Sequence, residues 1–369
     1  MQRRLWQLLA VLLAFTLVAA ACGDDDESSD SGSGGTSDVT AAFVYIGEPG
    51  DAGWTYAHDN GRQFAEEQTG ATTLTVENIA EGSPEFDTAV RDFIDQGADV
   101  IFATSFGYMD AMEALSAEFP DVAFAHATGY KSNDTNFGNY FGRIYQARYL
   151  TGLAAGEASA SGNIGYVAAF PIPEVLRGIN AFTLGVKEAN PDATVTVNWT
   201  FTWFDPAVEG DAANALLEGG ADLIAMHQDS TAAGEAAEAV GARWVSYNSD
   251  MSAFAPDAYL ASAVWDWGPY YASVIEAVAD GSYAGGAYWG GMDDGIVQIG
   301  SLADDVSAET KALIDERAAA MIAGEFDPFT GPINDQDGNE VIAAGMVPND
   351  GDLLGMAYFV EGVIGSAEG

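Results

Sequence analysis

The sequence predicts an α/β protein built as two lobes, and three observations predict it. From residue 41 onward, short apolar, β-rich runs alternate with helical patterns, the mark of βαβ units and parallel sheet. About 330 residues follow the N-terminal segment, too many for one ordinary core and suited to two. The pattern also restarts midway. A helix end, a turn Gly97-Ala98-Asp99 and a buried strand in the first half are echoed by a helix end, Gly220-Ala221-Asp222 and a buried strand in the second.

Taken in order, Arg3 and Arg4 precede an apolar run over 8–21 that is too short to span a bilayer and ends in small residues, which predicts an export signal over 1–21. The run stops at Ala19-Ala20-Ala21-Cys22, and Cys22, the only cysteine, stands where a thiol takes a diacylglycerol anchor. Ala19 occupies the place where such sites usually carry leucine. Residues 22–38, acidic and then Ser/Gly-rich, cannot bury enough apolar surface to offset the entropy of ordering and read as a flexible tether. Strands are expected near 41–47, 72–78, 100–104, 122–127 and 135–141, with helices near 54–69, 84–96 and 108–119. A helix near 145–159 precedes the restart, which has strands near 164–168, 193–199, 223–226 and 244–247 and helices near 173–189, 206–218 and 232–240.

The charge excludes several partners. Lysine and arginine number 12 against 56 acids, so the formal charge is −44, or −46 once Arg3 and Arg4 leave with the signal. Such a surface repels nucleic acid and anionic ligands. Most acids fall on expected helix faces and linkers, so the acidity reads as solubility in a saline medium, which a melting temperature rising with molar salt would bear out.

Open parallel sheets bind ligands at the carboxyl ends of their strands. The expected loops there are rich in aromatics and polar side chains: Trp54, Phe106, Tyr108, Phe170, Trp203, Trp265 and Trp267, with Asp51, Gln228, Asp229, Asn248 and Asp250 among them. Two opposed aromatic faces grip a planar ring, at about 1–3 kcal/mol per stacked face, while carboxylates and amides read the edge of a nitrogen heterocycle. Sugars also stack on aromatics and stay as the rival. His58, His126 and His227 have no metal-ligand spacing, so no metal site is expected, and only His227 falls in a mouth loop. The glycine-rich segment 47–54 lacks the Lys-Ser/Thr ending of a phosphate loop, and its glycines suit close approach of backbone and ring. No nucleophile elbow or cofactor fingerprint occurs, so neither enzyme activity nor a cofactor is expected. Residues 334–340 imitate part of a calcium loop, but Ile333 stands at the first ligand position and a hairpin turning at Asp337-Gly338 is expected instead.

Six motifs in order carry a family resemblance: 50–56 with Asp51 and Trp54, 103–110, 170–182 from Phe170, 227–230 from His227, 247–251 with Asp250, and 265–271 from Trp265. Together they resemble the basic membrane protein family of ABC-transporter substrate-binding lipoproteins, over nearly the whole mature chain. The resemblance implies a type I periplasmic-binding fold, two Rossmann-like lobes with a central cleft and three hinge crossovers, and a purine base or nucleoside as ligand. It places the crossovers near 161, 265 and 285, giving one lobe 39–160 plus about 266–284 and another 161–265 plus about 285–369. It implies a first-loop acid at Asp51, a stacking ring at Trp54, a ribose-gripping acid at Asp250, a closing loop over His227, Gln228 and Asp229, and Trp203 or Phe170 as the second stacking ring. Nucleoside binders of the family carry a lysine after the strand near 263. Here Trp265 stands there, and its indole cannot donate as an ammonium does, which favours a free base such as adenine. The implied partners are a permease with its ATPase and, through Cys22, the outer face of the cell membrane, with the protein monomeric. A sugar-binding protein and a ligand-sensing surface lipoprotein are the alternatives.

Overall fold

A computed structural model describes residues 35–369; the expected signal segment, Cys22 and residues 22–34 of the expected tether lie outside them. Residues 36–38, counted with the tether, form a turn of 3-10 helix whose Thr36 hydroxyl donates to the Thr69 carbonyl at 2.8 Å, so order begins slightly before residue 39.

The first sheet is built from β1 (Thr40–Val44), β2 (Thr72–Val76), β3 (Val100–Ala103), β4 (Ala123–Ala127) and β5 (Phe137–Gly142), with β11 (Gly286–Gly290) closing one edge in the order β11-β5-β4-β3-β1-β2. All of its pairings are parallel. Its helices are α1 (Trp54–Thr69), α2 (Pro84–Asp95), α3 (Met109–Glu118) and α8 (Gly268–Ala279), which lies along α1. Local chemistry sets their ends: Ser83 caps the Glu85 N–H ahead of Pro84, and Gly70, at φ 73°, ends α1.

The second sheet repeats the plan with β6 (Asn163–Ala168), β7 (Thr194–Trp199), β8 (Leu223–His227), β9 (Arg243–Asn248) and β10 (Tyr259–Trp265). Its order is β12-β10-β9-β8-β6-β7-β15, where β12 (Val297–Ile299) is antiparallel to β10 and β15 (Val363–Ile364) is parallel to β7. Between the strands lie α5 (Pro173–Ala189), α6 (Pro206–Glu218) and α7 (Ala232–Ala239), and α9 (Ala308–Ile322) packs against α4 (Tyr145–Ala158). The expected hairpin is present as β13 (Ile333–Asn334) and β14 (Glu340–Ile342), its turn held by Asp335, which accepts the N–H groups of Asp337 and Asn339 at 2.9 Å. A short α10 (Asp350–Leu354) follows.

The echoed turns do the same work in both lobes. Gly97 and Gly220 sit at φ 91° and 98°, and the next-but-one aspartate N–H pairs with the strand beside it, Asp99 to the Thr40 carbonyl and Asp222 to that of Asn163. The chain is thus a type I periplasmic-binding fold whose second lobe copies the first.

Two of the three expected crossovers shift. The chain leaves the first sheet at Gly142, because α4 packs on α5 and β10 rather than on its own lobe; it is buried on all sides from Tyr145 to Gly156. Such a helix has no polar face to say which sheet it belongs to. β10 of the second sheet ends at Trp265, and α8, which follows from Gly268, lies along α1 of the first lobe. The third falls after Gly290 rather than near 285, because β11 pairs with β5. Its five residues, Gly-Ala-Tyr-Trp-Gly, carry little strand signal. At the hinge the Arg143 N–H donates to Gly290 at 2.7 Å and the Met292 N–H donates to Gln146 at 2.8 Å.

Candidate functional site

A cleft with about 50 Å³ of free volume lies between the strand ends of the two lobes. Ile46, Trp54, Ser105, Phe106 and Thr128 line it from the first lobe, and Glu174, Trp203, His227, Asp229 and Tyr247 from the second. Every one of them sits at the end of a strand or in the segment after it. The backbone is also strained there. Ala52, Thr128, Phe201 and Asn248 hold φ between 56° and 70°, conformations that side chains resist and that recur where ligands are held.

The lobes touch across the mouth. The Ser249 hydroxyl donates to the Ala52 carbonyl at 2.5 Å, and a Cβ on Gly53 would stand 2.3 Å from the Asp229 carbonyl oxygen. Glycine at 53 is what lets the first loop close on the second lobe, and the conformation is a shut one.

Trp54 is fixed by its indole N–H, which donates to the Thr104 carbonyl at 2.6 Å, and its ring meets those of Trp265 and Trp267 edge-on at 6.2 and 5.9 Å. Across the cleft Trp203 is backed by Phe170, with centroids 5.0 Å apart. Phe170 supports the wall without joining it. Gln228 is buried behind Trp203. With its amide turned to satisfy both ends, its nitrogen donates to the carbonyls of Thr202 and Trp203 at 3.2 and 3.1 Å, so it shapes the loop that carries the ring.

The polar edge belongs to the second lobe. His227 stands with Nε2 3.4 Å from a Glu174 oxygen; burial pushes its pKa down to about 4, partly offset by Glu174, so the ring is neutral. Its Nδ1 and the Tyr247 hydroxyl are buried without partners. Beneath Tyr247 the guanidinium of buried Arg148 lies 3.7 Å from the ring centroid. Asp229 is oriented by a relay: the Trp265 indole N–H donates to Asn248 Oδ1 at 3.1 Å, which turns Asn248 Nδ2 to donate to Asp229 Oδ1 at 2.7 Å. Burial, reinforced by Asp51 and Glu209, raises the Asp229 carboxyl well above the usual range.

Two expected ligand residues do other work. Asp51 is outside the lining and spends both oxygens on the Gly53, Thr55 and Tyr56 N–H groups at 2.8 to 2.9 Å, capping α1. Asp250 is exposed and accepts from the Ser252 N–H and from both the N–H and hydroxyl of Ser301. Against the upward push of burial, these bonds hold its carboxyl below the usual range. Trp265 lies behind the cleft, stacked on Trp267 at 4.6 Å. The cleft therefore gathers Trp54, Trp203, His227 and Asp229, with Phe170, Gln228 and Trp265 behind them. Phe106, named among the mouth aromatics, also lines the cleft, whereas Ile46, Ser105, Thr128, Glu174 and Tyr247 were not singled out from sequence as ligand contacts. Their one signal was position at a strand's carboxyl end. Among the described residues no group of acids, histidines or cysteines forms a metal-holding cluster.

Comparison with known proteins follows this geometry. Residues 38–325 match the family model described as "ABC transporter substrate-binding protein PnrA-like". A purine-binding protein of Brucella abortus is 44% identical over 330 residues, 88% of this chain and 93% of that one. A protein of Haloferax volcanii, provisionally named an ABC-transporter glucose-binding protein, is 40% identical over 351 residues, 95% of this chain and 86% of that one. Among solved structures, solute-binding proteins of ABC transporter systems from Conexibacter woesei and Aeropyrum pernix superpose with TM-scores of 0.66 and 0.68. They cover 78% and 85% of this chain, and 98% and 95% of their own. At 22% and 18% identity those two speak for the fold.

Proposed function

We propose, from the premise that this chain belongs to the PnrA-like family of ABC-transporter substrate-binding proteins, that it captures a purine base of the adenine kind and delivers it to a permease. Proteins of this family act outside the cytoplasm by binding a small solute for an importer.

The observation that carries the purine reading is the shared cleft, with Trp54 on one wall, Trp203 on the other, and His227, Asp229 and Tyr247 along one side. A planar base stacks on the indoles and offers its edge to the polar groups. The purine-binding relative supports this reading. With Asp250 tied to Ser301, no carboxylate is free at that position to hold ribose hydroxyls, which favours the base over the nucleoside. Hinge closure at the three crossovers shuts the lobes on the ring, as the contact of Gly53 with Asp229 suggests. Anchoring through Cys22 and a monomeric state belong to the same proposal. Loss of membrane association in a Cys22→Ser protein tests the anchor.

A sugar is the second reading, because the Haloferax relative is named for glucose. Calorimetric titration of ligand-free protein with adenine, guanine, adenosine, ribose and glucose separates the two. Adenine is expected to bind at micromolar or tighter affinity and to be recovered unchanged. Glucose binding without purine binding overturns the proposal.

A further inference from the structure

Four carboxylates gather at the closed mouth with unequal support, Glu174 and Asp229 lining the cleft and Asp51 and Glu209 behind it. Asp51, from the loop before α1, accepts three backbone N–H bonds. Glu209, on α6, accepts from the Asp205 N–H and from the N–H and hydroxyl of Ser230. Glu174, on α5, faces the His227 imidazole. Asp229 has a single donor, the Asn248 amide on Oδ1, and among the described residues no protein group donates to its Oδ2. Asp229 is also the carboxylate whose own backbone lies under Gly53, so closure of the first lobe half-buries it and leaves Oδ2 open to the cleft.

Like charges gathered in a site that a ligand closes off from water cannot all stay ionised, and of the two carboxylates that line the cleft Asp229 is the one with the other three acids, Asp51, Glu209 and Glu174, around it and with an oxygen that receives no protein donor. We propose that Asp229 enters the closed complex as an uncharged acid that donates its Oδ2 proton to a bare ring nitrogen of the bound heterocycle, so that binding takes up one proton from solvent. This rests on the purine reading and adds the donor–acceptor pattern that the ligand must present.

The direction of the Asp229 shift, upward through burial and then through Asp51 and Glu209, agrees. Among the described residues no cation pairs with it to keep it ionised. His227, on its own strand, is neutral, and the Tyr247 hydroxyl at the end of β9 is likewise held neutral by burial. Arg148, on α4, lies under the Tyr247 ring and donates to the Met226 carbonyl. The relay from Trp265 matters here as well. An indole N–H can only donate, so Asn248 is bound to present its amide nitrogen to Oδ1, and the proton of a neutral Asp229 must sit on Oδ2.

Asparagine is the test residue, because its amide keeps an acceptor for Asn248 and a permanent donor on the other side. Titration calorimetry with adenine, run at one pH in buffers of different ionisation enthalpy, counts the protons taken up. Wild-type protein is expected to take up close to one proton at pH 7 and to bind more weakly as pH rises, by up to about tenfold per unit. Asp229→Asn is expected to bind adenine no more weakly than wild type, to take up none, and to show flat affinity between pH 5 and 8. Asp229→Leu, with an unchanged melting temperature, is expected to lose binding. Absence of proton uptake by wild type, a tenfold or greater weakening in Asp229→Asn, or full affinity in Asp229→Leu each overturns the inference while purine binding stands. Failure of every purine to bind overturns the functional reading itself.

Discussion

The two lobes share a strand order, a helix plan and even a turn sequence, yet their mouths are built for different work. The first lobe brings Ile46, Trp54, Phe106 and the small hydroxyls of Ser105 and Thr128 to the cleft, and its nearby acid, Asp51, is consumed in capping a helix. The second brings Glu174, His227, Asp229 and Tyr247. Two buried histidines, at unmatched positions of the repeat, show the divergence at single-residue scale. His126, the penultimate residue of β4, lies 2.7 Å from the Ser105 carbonyl, whereas His227 ends β8 and faces the carboxylate of Glu174. One topology can therefore supply shape from one side and polarity from the other.

Acid is the strongest way to press on that comparison. Burial lowers both His126 and His227 to about 4. Each ring is neutral when folded but protonates near pH 6.5 when unfolded, so its contribution is complete above about 6.5 and is lost as pH falls towards 4. The loss approaches about 3 kcal/mol per histidine. Urea denaturation between pH 7 and 4 should show a shallower pH dependence in His126→Gln and in His227→Gln than in wild type, with only His227→Gln changing ligand affinity. An affinity change in His126→Gln would blur the division between the lobes. Next in size, Trp54→Ala and Trp203→Ala should each weaken purine binding by about 1–3 kcal/mol in calorimetry, since each removes one stacking face. A loss confined to one of them would leave a single-walled site. Trp265→Phe keeps the aromatic packing but removes the donor to Asn248, and should cost about 1 kcal/mol of affinity with little loss of stability. The smallest effect is expected from Asp250→Asn, whose affinity should stay within about 0.5 kcal/mol of wild type because Asp250 pins Ser301 outside the cleft.

The doubling of the fold was legible because both Gly-Ala-Asp turns and the strand runs around them carry strong local chemistry. The first and third crossovers were not. α4 is buried on every side from Tyr145 to Gly156, and β11 owes its place to an edge of β5 that only the folded sheet presents. At the site, Trp54, Trp203, His227 and Asp229 could be found because aromatic and polar residues just after a strand have few structural reasons to be there. Asp51 and Asp250 occupy equally suggestive positions, and they differ from Asp229 only in how many donors the neighbouring loops turn towards them. Tyr247 and Glu174 were hidden for the opposite reason: a tyrosine closing a buried strand and a glutamate in the first turn of a helix both read as ordinary structure.

The central claim is that a flat base is gripped between a wall from each lobe with its edge on the second lobe's polar groups. A crystal structure of the protein with adenine tests it directly. The account predicts the purine ring between the indoles of Trp54 and Trp203, with a ring nitrogen at hydrogen-bond distance from Asp229 Oδ2. Adenine found outside this cleft, or held in it by one lobe alone with Asp229 turned away, would contradict it.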